Sequence, residues 1–97
     1  MYVVKLQYKE DGAEPCYANN SIVHSIKEIR NNGAYDLKWF LLKLDDARKL
    51  VKELIAQSGQ AAGWYQPSKT LKYIAIVELS NYDSKREYEV VDYKEFK

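Results

Sequence analysis

The stretch "LDDARKLVKELIAQSG", Leu44 to Gly59, decides how the rest of the chain must be arranged. Ala47, Leu50, Val51, Leu54 and Ile55 recur at helical spacing, while Arg48, Lys49, Lys52 and Glu53 fall on the other side. That pattern predicts an amphipathic helix over about 45–57. Asp45 or Asp46 suits its first turn, where a carboxylate caps free N–H groups and opposes the positive end of the dipole, and Gly59 suits its end. A helix with one apolar stripe needs a surface on which to bury it.

The C-terminal stretch "KTLKYIAIVELSNYDSKREYEVVDYKEF" supplies that surface as two strands joined by "SNYDSK". On the first, Leu71, Tyr73, Ala75, Val77 and Leu79 form one apolar face, and Ile74 and Ile76 lie on the other between Lys72 and Glu78. A strand that is apolar on both faces belongs inside a sheet. The second, Arg86 to Tyr93, is more polar and suits an edge. The helix is expected to set Ala47, Val51, Leu54 and Ile55 against Tyr73, Ala75 and Val77.

At the other end, "MYVVKLQYK" alternates Tyr2, Val4, Leu6 and Tyr8 with Val3, Lys5, Gln7 and Lys9, the period of a strand. Asp11-Gly12 suits a tight turn, so "EPCYA" reads as a short return strand that Pro15 would confine to an edge. In "NNSIVHSIKEIRNNG", Ile22, Val23, Ile26 and Ile29 follow helical spacing and predict a second short helix over about 21–31. A strand running into the Asn-Asn-Gly turn is the competing reading. Between these pieces Phe40, Leu42 and Leu44 alternate with Trp39, Leu41 and Lys43, as in a strand leading into the main helix. One continuous helix from Asp36 competes with it. The whole predicts a single α+β domain over residues 1–97, an antiparallel sheet packed on one main helix.

Composition narrows the function classes. The 97 residues suffice for one core. Fifteen basic residues against fourteen acidic ones leave a formal charge of +1, spread evenly along the chain, so no basic arm marks a nonspecific nucleic-acid binder, and only a basic face assembled in three dimensions would make one. With Cys16 as the one cysteine, an intramolecular disulfide and a multi-cysteine zinc site are excluded, and a reducing, cytoplasmic setting is expected. Lys5 and Lys9 interrupt the apolar N-terminal stretch, which therefore does not read as a signal-peptide core, and no run approaches the length of a membrane span. Abundant lysine, asparagine, isoleucine and tyrosine suit an AT-rich bacterial or phage genome.

Candidate chemistry is sparse. His24 is the lone histidine; Ser21 and Ser25 stand near it, but their spacing makes no triad, and a surface histidine is the plainer reading. Cys16 has no neighbouring base to activate it. Asp45 and Asp46 are explained by the helix start, and the glycines form no phosphate-binding run. No catalytic set, cofactor site or metal site is therefore expected.

The loop "SGQAAGWYQPSK", Ser58 to Lys69, sets Trp64 and Tyr65 after a run of small residues. The structural reading makes Trp64 an inward anchor for the helix-to-strand connection and leaves Tyr65 partly exposed. The functional reading joins Trp64 and Tyr65 to Lys69, Lys72, Lys85 and Arg86 as a partner-binding set. A small non-catalytic protein that binds another macromolecule, most plausibly a protein, follows, such as a phage or mobile-element accessory or inhibitor. A single-stranded nucleic-acid binder that uses the sheet and the aromatics and lysines of the 58–69 loop is the competing expectation, and a small hydrolase or nuclease built on His24 comes third.

Overall fold

The fold is taken from a computed structural model, which describes residues 1–19, 22–32, 37–57, 71–79 and 87–96. The expected main helix is present as α2, Leu44–Gln57. Ala47, Leu50 and Leu54 are buried, Val51 and Ile55 are half-buried, and Arg48, Lys49, Lys52 and Glu53 face solvent. The Ala47 N–H donates to the Lys43 carbonyl at 2.9 Å, so the helix begins one residue before the aspartates. Asp45 and Asp46 thus lie inside its first turn, where their charge opposes the dipole.

Five strands form one antiparallel sheet: β1 (Tyr2–Tyr8), β2 (Cys16–Asn19), β3 (Ile22–Ser25), β4 (Leu71–Leu79) and β5 (Glu87–Glu95), in the order β3-β2-β1-β4-β5. β1 is central, paired with β2 on one side and with β4 on the other. Gly12 makes the β1–β2 turn possible, with φ of 76° and the Ala13 N–H donating to the Glu10 carbonyl. The polar β5 is at an edge, as its sequence suggests.

Both faces of the sheet are covered, which is why β4 is apolar on both sides and β1 buries Val3 on the face opposite Val4 and Leu6. On one face Val4, Leu6, Tyr8, Ala18, Leu71, Ile74 and Ile76 pack with Ala47, Leu50 and Leu54 of α2. On the other, Val3, Tyr17, Ala75, Val77 and Leu79 pack with Ile29 of the short helix α1 (Ile26–Asn32) and Phe40 of a 3-10 turn, Leu37–Phe40. The α2 helix therefore sits over Ile74 and Ile76, not over Tyr73, Ala75 and Val77 as the sequence pattern suggests. A bulge adds Leu71 to the α2 side. Gln7 pairs with Tyr73 and Tyr8 with Leu71, so Lys72 is the extra residue, and Leu71 is carried to the face of Ile74.

Three further expectations change. The 21–31 segment is neither all helix nor all strand: β3 runs to Ser25, and α1 follows without a break. Ser25 Oγ accepts the Glu28 N–H at 3.1 Å and so caps α1. Because β3 takes the edge, β2 is an inner strand. Pro15 stands just before β2, where its missing N–H costs no ladder bond, and its carbonyl accepts the Ile26 N–H. The 37–44 segment is a 3-10 turn and then an isolated bridge, in which Tyr2 and Leu42 exchange backbone bonds of 3.0 and 2.8 Å. Among the described residues, no helix is long and apolar enough to cross a membrane.

Candidate functional site

Five of the six residues proposed from sequence as a partner-binding set, Trp64, Tyr65, Lys69, Lys85 and Arg86, lie outside the described residues, as does the whole 58–69 loop with its anchor reading. Lys72 is described. It is the exposed bulge residue of β4, and its carbonyl accepts the Phe96 N–H at 2.9 Å.

The described surface instead draws attention to β5. Tyr88, Val90 and Tyr93 are 69%, 54% and 57% exposed. Among the described residues no strand pairs with the outer side of β5. Tyr93 stands opposite Ala75, whose small side chain leaves room for the Tyr73 ring to stack on Tyr93 with centroids 5.6 Å apart and planes 24° apart. Glu95 stands opposite Tyr73. Burial, then the charge of Glu87 and the neighbouring Tyr93, holds the Tyr73 phenol above its ordinary pKa. The ladder skips Val91 and Tyr88, giving two bulges. Bulges on an edge strand interrupt the regular row of backbone groups and discourage indiscriminate strand pairing.

A polar cluster ties the start of β5 to the rest of the sheet. The Lys5 ammonium contacts both Glu87 carboxylate oxygens, at 2.9 and 3.0 Å. The Tyr17 hydroxyl donates to Glu87 Oε2 at 3.0 Å and accepts from Arg30 Nη2 at 3.1 Å. Tyr17 is fully buried, and desolvation followed by the Glu87 charge raises its phenol pKa, so it stays protonated and keeps donating. This arrangement clamps β5, β1, β2 and α1 together; it contains no activated nucleophile. Lys5, set between Val4 and Leu6, is a local signal for it, but its partner Glu87 is 82 residues away in sequence.

His24 and Cys16 have structural surroundings. His24 Nδ1 lies 3.1 Å from the Ser25 backbone nitrogen and 3.2 Å from Glu28 Oε2. The nitrogen accepts from the first when it carries no proton and donates to the second when it carries one, but not both at once. The Ser25 hydroxyl is engaged at the α1 cap. Cys16 packs against the core beneath α2. Among the described residues, no group of histidine, cysteine and carboxylate side chains has the arrangement of a metal site. The surface concavities that they line, such as the one bounded by Lys5, Glu14, Pro15, Ile26, Lys27 and Glu87, are open to solvent.

No protein-family model matches this chain, and comparison with curated proteins and with solved structures returned no match.

Proposed function

We propose that this protein is non-catalytic and acts in a cytoplasmic setting by binding a protein partner through the β5 edge of its sheet. The observation that carries this is the exposure of Tyr88, Val90 and Tyr93 together on one edge strand. Tyrosines in such positions supply large contact area with few rotatable bonds, and buried aromatic anchors dominate the energetics of protein interfaces. The same strand disfavours the nucleic-acid alternative. Its sequence, EYEVVDYKE, interleaves the aromatics with Glu87, Glu89, Asp92 and Glu95 against Lys94 alone, and such a potential repels a phosphate backbone.

The test is capture by the immobilised full chain from cells of its source, with and without nuclease. It is run in parallel with a Tyr88→Ser, Val90→Thr, Tyr93→Ser variant shown to be folded by its amide spectrum. A nuclease-resistant protein held by the wild type and lost from the variant is the expected result. Equal retention by the variant, or loss of all bound material after nuclease treatment, sinks the proposal.

A further inference from the structure

Resting on that reading of β5, we infer that the partner presents a cationic, extended segment, with an arginine or lysine over Tyr93 beside Glu95 and an apolar side chain over Val90. Three observations meet here.

The first is the charge left on the strand after its internal pairs are formed. Glu87 is held by Lys5, and Asp92 lies 3.5 Å from Arg48. The Lys94 ammonium sits 5.3 Å from the Phe96 ring centroid. Among the described residues, no ion pair forms at Glu89 or Glu95, and Glu89 stands opposite Glu78 in the ladder. Glu78 is in phase with Ile74 and Ile76 on the α2 side, so Glu89 faces away from Tyr93, and Glu95 is the carboxylate left beside Tyr93 for a partner's cation.

The second is the exposed aromatic surface. The Tyr73–Tyr93 stack offers a π face next to a carboxylate, which together attract a guanidinium or ammonium group. Val90, opposite Val77 on the same side of the sheet, adds an apolar contact.

The third concerns the other possible occupant, a second copy of this chain. Antiparallel self-pairing of β5 about Val91 would set Glu87 against Glu95 and join two acidic strands, and the bulges at Tyr88 and Val91 break the edge such a pair would need. Charge complementarity therefore favours a basic partner over self-association.

The test uses the isotopically labelled full chain titrated with two end-blocked hexapeptides, Arg-Thr-Val-Thr-Arg-Thr, which sets arginine and valine on one face of an extended strand, and the same sequence with glutamate for arginine. The arginine peptide is expected to shift the amide signals of Val90 to Glu95, with an affinity that weakens roughly fivefold or more when salt rises from about 50 to about 300 mM. Equal binding of the glutamate peptide, absence of binding by the arginine peptide, or shifts centred on Asp45 and Asp46 instead of β5 would overturn the inference. A Glu95→Lys variant separates it from the broader reading. Should that variant keep a captured partner that the Tyr88, Val90, Tyr93 variant loses, the surface stands and the cationic partner falls. If both variants keep it, the surface itself is wrong. Dimerisation of the wild type through β5, seen by sedimentation, also overturns the inference.

Discussion

Replacing Leu54 with alanine tests the side of the sheet on which α2 packs. Leu54 is fully buried among Val4, Leu6, Ile74 and Ile76, so the substitution removes the equivalent of about three methylene groups from a filled site. Transfer alone costs about 0.8 kcal/mol for each, or about 2.4 kcal/mol in all. The cavity left behind raises the total to about 3–4 kcal/mol, because a sheet on one side and a helix on the other limit collapse. A domain of this size has about 5–15 kcal/mol of stability, so the loss is a large fraction of it. With a urea m-value of about 1.2 kcal/mol/M, the unfolding midpoint should fall by roughly 2.5–3.3 M. Equilibrium urea unfolding followed by circular dichroism measures it, with Lys52→Ala on the exposed side of α2 as the control, expected to stay within about 0.5 kcal/mol. A Leu54→Ala cost below about 1 kcal/mol would refute the packing. A second comparison checks the face: an Ile76→Ala and Leu54→Ala pair should be non-additive, because the two side chains share one cluster, whereas Val77→Ala and Leu54→Ala should add.

Other outcomes follow from the turn and the polar cluster. The Tyr17 phenol has its ordinary pKa of 10.0 when unfolded and a higher one when folded, so the folded state retains the proton longer. Stability from this group is thus fully present below about pH 10 and is lost as pH rises further. Urea unfolding at about pH 8 and about pH 11 should show that decline, with a shallower one in Tyr17→Phe; equal declines would remove Tyr17 as the cause. Gly12→Ala should cost about 1–2 kcal/mol through its positive φ alone, since nothing lies within 4 Å of a Cβ there. Gly12→Asn should cost less, and thermal unfolding ranks the two. His24→Ala should leave partner capture unchanged at matched folded concentration, and complete loss of a measured activity in that folded variant would restore the enzyme reading.

What the chain's local pattern determines is clear from α2 and from the composition of the strands. The stripe of Ala47, Leu50 and Leu54 specifies a helix with one buried side wherever it is placed, and the polar make-up of β5 specifies an edge. An α+β domain follows from those local preferences together. The functional surface was less legible. The sequence pattern pointed to Trp64, Tyr65 and the surrounding lysines, because aromatics beside cations are a recognisable composition, whereas the exposure of Tyr88, Val90 and Tyr93 depends on nothing covering them. Only the tertiary structure decided which face of β4 meets α2. Ile74 and Ile76 compete with Ala75 and Val77 on equal local terms, and the bulge at Lys72, set by pairing with β1, moves Leu71 to the α2 side. It also decided that Ile22–Ser25 becomes a strand, since hydrogen bonds to β2 outweigh a helical period too short to propagate. The Lys5–Glu87–Tyr17–Arg30 cluster is of the same kind: its members come from four separate elements, and charge, burial and hydrogen bonding act through space, where a linear pattern carries no record of them.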